Sequence, residues 1–380
     1  MAAPVRGRIE TRGFDHSQTG PCGADAMRAP AHVPRVSVLI PVRDGEPFLR
    51  EAVDSILDQT FSDFELLFID DGSIDGTAAI LEAYARGDRR VRVLHNATKL
   101  GLTASLNLGL RATRGEYVAR MDHDDWSHPD RLLRQVAFLD TNPGIILVGT
   151  SFATIDGGGR TRKVDIEATT WWEFEWMSMF RPPVCHPTVM LRASLFREFG
   201  AYYDETYVVG QDFDYWCRAL DHGRGCVLRD VLFNYRSHPA SVSATKRDQQ
   251  RDGFYRTATT QFRRRMPHRA DLYDPIDRFN ECLHRDHPVT VRDALGMVRT
   301  ILAAAADFAA MRGLTNREHR TLLRLATRWI VLGLVVRGGL KDKPAAFARF
   351  LAGTTSLFPY VAAEAVLYLC RRLRLISLMS

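Results

Sequence analysis

The chain has 380 residues, 46% of them hydrophobic and 25% charged, with a formal net charge of +6. That length suits one large domain with a smaller one, and the composition excludes a disordered, collagen-like or disulfide-stapled chain. The positive balance does not point to a nucleic-acid reader, because it is concentrated in residues 299–380, where thirteen Lys/Arg face four Asp/Glu. That segment is also rich in Leu, Ala, Val and Phe, and basic with apolar suits a membrane surface or a partner.

In chain order, residues 1–34 are polar, contain Pro and Gly and show no period, so a disordered leader is expected. They hold no apolar run of the kind a secretory signal needs. Val36-Ser-Val-Leu-Ile40 predicts a buried strand ended by Pro41. Phe48, Leu49, Ala52, Val53, Ile56 and Leu57 recur at helical spacing. Strands are predicted at Phe64–Ile69, Val91–Leu94 and Tyr117–Met121, with helices at Thr77–Ala85 and Leu102–Leu110 between them. This βαβ alternation predicts a mostly parallel sheet covered on both faces, with ligands bound at the carboxyl ends of the strands. Asp156-Gly-Gly-Gly159 reads as a turn between two strands, since no helix start or Lys-Ser/Thr follows it. Residues 213–222 read as helix, and the chain is largely helical from about 245. The six cysteines are scattered without a CxxC pair, which fits a reduced, intracellular chain. No run of about 18 uncharged apolar residues predicts a spanning helix.

Three acidic groups stand at predicted strand ends or helix starts. Asp122-His123-Asp124-Asp125 crowds three carboxylates immediately after a strand. Their mutual repulsion calls for a cation, and hard oxygen ligands suit Mg²⁺ or Mn²⁺. A solvated acidic turn is the competing reading. Asp70-Asp71-Gly72 follows the second strand, where a carboxylate can accept from a ribose or a base N–H, or can simply form a turn. Asp212, in Gly210-Gln-Asp212-Phe-Asp214, precedes a helix among aromatics, and is either a general base or an N-cap. His238 is open to a role as metal ligand or phosphate contact, and Lys99 to neutralising a phosphate.

Taken together, Ser37-Val-Leu-Ile-Pro41, Phe64-Glu-Leu-Leu-Phe-Ile-Asp-Asp-Gly-Ser73, Lys99-Leu-Gly-Leu-Thr-Ala-Ser-Leu-Asn107, Ala119-Arg-Met-Asp-His-Asp-Asp125, Arg131-Leu132, Gln135, His186-Pro-Thr188, Gly210-Gln-Asp212 and Tyr235-Arg236 resemble the inverting family 2 glycosyltransferases. The resemblance spans about 200 residues in order. It implies a GT-A fold: a Rossmann-like, mostly parallel sheet flanked by helices at 35–245, with a helical C-terminal region at 246–380. It also implies transfer of a sugar from a nucleotide-diphosphate donor, with uracil the expected base, to an acceptor hydroxyl on a glycan or lipid-linked molecule of surface polysaccharide or glycolipid synthesis. Pro41, Val42, Asp70, Asp71 and Lys99 fall where the family holds the nucleotide. Asp122-His123-Asp124 matches the DXD element, with Asp124 on a divalent metal (Mn²⁺ or Mg²⁺), Asp122 and His123 at the donor, and Asp125 toward sugar hydroxyls. Asp122 and His238 complete the expected metal set. Asp212 matches the catalytic base of a motif usually written Glu-Asp, although Gln211 replaces its first acid. The scattered cysteines and the basic, apolar C-terminal segment place the chain in the cytoplasm or peripherally on the cytoplasmic membrane.

Leu322–Val336 and Phe350–Leu375 read as apolar helices carrying Arg324, Arg328, Arg337, Arg371, Arg372 and Arg374. They suit peripheral membrane docking, packing on the catalytic core, or a homodimer. The competing functions are a sugar-nucleotide binding module without catalysis, left open by Gln211, and a nucleotidyltransferase. The latter would place a Gly-rich, Arg-containing loop after the first strand, where Pro41-Val-Arg-Asp-Gly-Glu-Pro47 carries one glycine.

Overall fold

The computed structural model describes residues 32–165, 169–239, 241–330, 334, 339 and 344–357. The described residues from Pro34 onward belong to one compact unit. The expected leader, apart from its last few residues, and Arg337, Arg371, Arg372 and Arg374 lie outside the described residues.

The elements run β1 (Val36–Val42), α1 (Leu49–Leu57), β2 (Phe64–Asp70), α2 (Thr77–Gly87), β3 (Val91–His95), α3 (Leu102–Ala112), β4 (Tyr117–Arg120), β5 (Trp126–Ser127), α4 (Arg131–Thr141), β6 (Ile145–Ile155) and β7 (Thr161–Asp165). They continue with α5 (Trp171–Ser178), β8 (Met190–Arg192), α6 (Ser194–Arg197), α7 (Gln211–Ala219), β9 (Arg224–Arg236), α8 (Val242–Thr245), α9 (Arg247–Arg265), α10 (Tyr273–Arg285), α11 (Val291–Met311), α12 (Asn316–Ile330) and α13 (Pro344–Leu357).

The strands form a sheet in the order β3-β2-β1-β4-β8-β6-β9-β5, with β7 paired to β6. The first half is parallel, as the βαβ alternation requires. Beyond β4 the sheet is mixed: β8 is antiparallel to both β4 and β6, while β6 and β9 are parallel. β1 and β2 are buried along their whole length, which is why they read as continuous apolar runs rather than alternating ones. One face packs on α1, α2 and α4 through Val53, Ile56, Leu81, Leu132 and Val136. The other packs on α3 and α7 through Leu106, Leu110, Tyr215 and Trp216.

Pro41 does not end β1, which runs on to Val42 in register with Asp70. Leu39 O accepts from Met121 N, so the alternate residue Pro41 faces the same side. β4 has already stopped there, at Arg120, and no ladder partner needs the amide that proline lacks. The gap beyond β4 is where the cleft begins. The helical region is tied to the same unit: Trp172, Trp176 and Phe180 of the α5 segment share a core with residues of α9 through α13. In that core Leu322, Ala326, Ile330 and Phe350 are buried, so the apolar faces of α12 and α13 are turned to protein. One described helix, α11, is long and apolar enough to cross a bilayer by length and composition, and half of that stretch is buried within the protein.

Gly115, at the turn into β4, donates to Ser37 Oγ at 2.9 Å. A Cβ there would lie 2.6 Å from Ser37 N and 2.8 Å from Val36 C. The backbone of a central strand cannot give way, so Gly115→Ala is expected to destabilise by roughly 1–3 kcal/mol. The readout is a lower urea midpoint at an unchanged slope.

Candidate active site

A cleft of about 1240 Å³ opens at the carboxyl ends of β1, β2 and β4. Of the residues singled out from sequence, Pro41, Val42, Asp71, Lys99, Asp122, His123, Asp124, Asp212 and His238 line it. They come from six separate stretches of chain, converging as the strand order of an open α/β sheet predicts.

Asp70 and Asp125 do not line it, and the reason is local in each case. Asp70 Oδ1 accepts from Ser73 N and Ser73 Oγ at 3.0 and 2.6 Å, and its Oδ2 lies 2.9 Å from His95 Nδ1. Both oxygens are thus committed to the turn and to β3, which corrects the expectation that Asp70 touches the donor. Asp125 is 1% exposed. Its Oδ1 accepts from Arg236 N at 2.8 Å, while its Oδ2 is buried with no hydrogen-bond partner. It lies beneath the cleft floor rather than facing sugar hydroxyls.

Asp71 lines the cleft and also shapes it. Its carboxylate accepts from Asn96 Nδ2 at 2.9 Å, Leu100 N at 2.7 Å and Gly101 N at 2.8 Å. Burial works against its charge, but these donors outweigh it and hold the carboxyl below the usual range. Asp71 thereby pins the loop that carries Lys99 over the cleft.

Asp122, Asp124 and Asp125 each bring a carboxylate oxygen within 4.8 Å of the others. Burial, then the neighbouring charges of Asp124 and Asp122, pushes Asp125 well above the ordinary carboxylate range. Burial likewise raises Asp122, with Arg120 opposing it. A crowded cluster in which Asp122 and Asp125 resist ionising, with one buried oxygen left unpartnered, is what a divalent cation would relieve. The donor set is all oxygen, which fits Mg²⁺ or Mn²⁺.

Asp122 is also gripped from behind. Arg120 Nη1 donates to its Oδ2 at 2.6 Å and Nη2 pairs with its Oδ1, a two-pronged contact on a fully buried guanidinium. His238 falls outside the carboxylate group. Its Nε2 sits 2.9 Å from Asp124 Oδ2, and its ring packs on Phe48 with centroids 5.2 Å apart. The ring nitrogen expected on a metal is therefore engaged by the carboxylate beside it. His123 packs over Gly45, where a Cβ would meet its Cδ2 at 2.6 Å, so glycine is what lets the histidine reach the cleft.

Asp212 sits in the first turn of α7, after Gly210 at φ +78°. Glycine adopts that left-handed turn without strain. Burial pushes the Asp212 carboxyl up to about 6, against the lowering effect of the helix-start amide of Phe213 and of Arg120. A carboxyl tuned there is mostly deprotonated at neutral pH yet more basic than an ordinary aspartate, and can accept a proton from a hydroxyl. Gln211, in place of an acid, is buried beside it on the cleft wall.

Several residues that hold this geometry have no site role legible in the sequence, although Arg131, Gln135 and Arg236 stand in the strings that carry the family resemblance. Arg236, 2% exposed, donates from Nε to Asp124 O at 2.8 Å, from Nη1 to Gly157 O at 3.1 Å and from Nη2 to Glu51 Oε2 at 2.6 Å. It joins the aspartate loop to the 156–159 turn and to α1. Arg131 donates to Arg120 O at 2.7 Å and to Gln135 Oε1 at 3.1 Å, fixing the end of β4. Arg43 lines the cleft with Nη1 buried and without a hydrogen-bond partner. His186, from the His186-Pro-Thr188 string of the resemblance, lines the cleft with Nε2 2.9 Å from Tyr203 Oη. Burial, then nearby Arg120, drives its pKa well down, so it is a neutral partner of the tyrosine.

The described cysteines Cys185, Cys217, Cys226 and Cys282 are free thiols.

The family model described as "Glycosyl transferase family 2" matches residues 37–196. EpsE of Bacillus subtilis (strain 168), provisionally named a glycosyltransferase, is 36% identical over 206 residues, covering 53% of this chain and 73% of that protein. An uncharacterized glycosyltransferase of Haemophilus influenzae is 28% identical over 232 residues, covering 58% of this chain and 70% of that one. Among solved structures, S. aureus TarS 1–349 in complex with UDP-GlcNAc superposes with a TM-score of 0.54 at 18% identity, over 82% of this chain and 92% of that one. That likeness is one of fold, the GT-A arrangement of sheet and flanking helices.

Proposed function

This chain belongs to glycosyl transferase family 2, and from that premise we propose that it transfers a sugar, with inversion, from a UDP-sugar to an acceptor hydroxyl, aided by a divalent cation. The observation that carries the mechanism is a carboxyl raised to about 6, Asp212, on the wall of the same cleft as the Asp122–Asp124 cluster.

The nucleotide is read as lying along Pro41, Val42 and Asp71 at the ends of β1 and β2, under the Lys99 loop. The TarS structure of like fold, which holds UDP-GlcNAc, supports a nucleotide sugar as the donor class. Arg43 and Lys99 are the cations on this wall that would face the diphosphate. A Mg²⁺ or Mn²⁺ ion held by Asp124 with Asp122 and Asp125 would supply neutralisation of the charge that develops on the departing diphosphate. Asp212 accepts the acceptor proton while the acceptor oxygen bonds the anomeric carbon and the diphosphate leaves from the opposite side. One displacement of this kind inverts the anomeric centre. Arg120 holds Asp122, and Arg236 with His238 holds Asp124, so the carboxylates are positioned before the donor arrives. The acceptor is read as a glycan or a lipid-linked molecule.

The test is release of nucleoside diphosphate across a panel of nucleotide sugars, with and without Mn²⁺. Wild type is expected to turn over one donor in a Mn²⁺-dependent way, and Asp124→Ala to lose at least about 100-fold. A wild-type chain that neither binds nor turns over any donor refutes the reading.

A further inference from the structure

We propose that the acceptor carries a phosphate ester near its reacting hydroxyl, and that Lys246 and Arg247 bind it. The inference rests on the reading of Asp212 as the base, because that fixes which wall the acceptor meets.

The wall around Asp212 is built by α9. A Cβ on Gly210 would lie 3.3 Å from the Phe254 ring and 3.6 Å from Gln250 O. Phe213 and Phe254 meet edge to face at 5.7 Å, and Tyr207 Oη lies 3.1 Å from Thr257 Oγ1. The start of α9 is therefore held against the segment that carries the base. Arg247, Gln250, Arg251 and Phe254 all line the cleft, and their spacing of three, four and seven places them on one helix face.

The charged side chains that Lys246 and α9 contribute to the cleft are all basic. Arg251 is neutralised by Asp286 at 2.5 Å. Lys246 and Arg247 are exposed, and neither has an ion-pair partner among the described residues. The acidic residues of the cleft, Asp44, Asp71, Asp122, Asp124, Glu205 and Asp212, come from other elements. An acceptor approaching Asp212 and Asp122 meets negative charge unless its own anion is turned toward α9. The donor diphosphate has its own cations, Lys99 on the loop after β3 and Arg43 at the end of β1, whose Nε pairs with Asp44 but whose Nη1 has no hydrogen-bond partner, and so does not need this pair. A phosphate is the group that two adjacent cations, one of them a guanidinium fork, match.

Equilibrium binding to the full chain tests this without turnover. The probes are decyl phosphate against decyl glucoside, for a lipid-borne phosphate, and glucose 6-phosphate against glucose, for a sugar-borne one. UDP with Mn²⁺ is measured in parallel. At least one phosphate probe is expected to bind tenfold or more tightly than its neutral counterpart, and the arm that does so identifies the source. Lys246→Ala with Arg247→Ala should abolish that advantage and leave UDP affinity unchanged; both residues are exposed, so folding is not at stake. Two results overturn the proposal: neither phosphate probe gains over its neutral counterpart, or the double variant weakens UDP instead, which would assign the pair to the donor. Failure of wild type to bind any nucleotide sugar would strike the transferase reading separately, since the phosphate arms are read without it.

Discussion

Asp212→Asn is expected to lower kcat by about 10²–10⁴-fold, the range a positioned general base supplies, while leaving donor affinity near that of wild type. Asparagine keeps the shape and the first-turn position on α7 but cannot take a proton. In wild type, transfer requires the deprotonated carboxyl. Because burial holds that carboxyl near 6, activity should be full above that pH and fall tenfold per unit below it. The residual activity of the variant should lack this limb. Stability moves the other way. A carboxyl whose folded pKa is raised favours the folded state most at low pH, below its unfolded value near 4, and that contribution is lost as pH rises through about 6. At pH 7 the charged Asp212 therefore opposes folding, and Asp212→Asn should match or exceed wild type in urea midpoint. An inactive but destabilised variant would instead assign Asp212 a structural role, and an active one would remove it as the base.

Arg236→Met is the second large effect. The substitution keeps an apolar stem against Phe48, whose ring lies 4.7 Å from the guanidinium. It removes the donors to Asp124 O, Gly157 O and Glu51. Two backbone carbonyls lose a charged partner in a buried setting, a loss of about 2–4 kcal/mol. Glu51 is half exposed and can turn to water, which keeps the loss below that of a fully buried pair. The aspartate loop then loses its tie to β9 and α1, and a shift of about 1 Å there should lower turnover by about 100-fold. Urea unfolding and donor turnover are measured together. Arg236→Lys restores charge but not the fork, so it should recover only part of either. Full turnover in a destabilised Arg236→Met would show that the arginine supports the fold without positioning the site.

Much of this molecule is legible without coordinates. The continuous apolar runs of β1 and β2, the helical spacing of Leu49 to Ile56 and the acidic residues at strand ends follow from short-range rules: strand burial, helix periodicity, and the turn chemistry of Asp and Gly. Those rules also place the cleft, because a parallel βαβ sheet opens at its carboxyl ends. The extension of β1 through Pro41 escaped them, since the neighbour that would have needed the missing amide lies nearly eighty residues away in β4.

What the amino-acid order determined alone is therefore the parallel half of the sheet, the identity of the acidic groups and their nearness to a strand end. Tertiary structure decided which of those groups are free to act. Asp70 and Asp71 are adjacent and chemically alike, yet one is spent on Ser73 and His95 while the other lines the cleft. Asp125 is buried under the floor that Asp122 and Asp124 form. The roles of Arg120, Arg236 and Lys246 emerge only where the fold sets them against Asp122, against Asp124 and on the wall beside Asp212. Side-chain direction and long-range pairing arise from contacts between segments far apart in the chain, and local spacing carries no record of them.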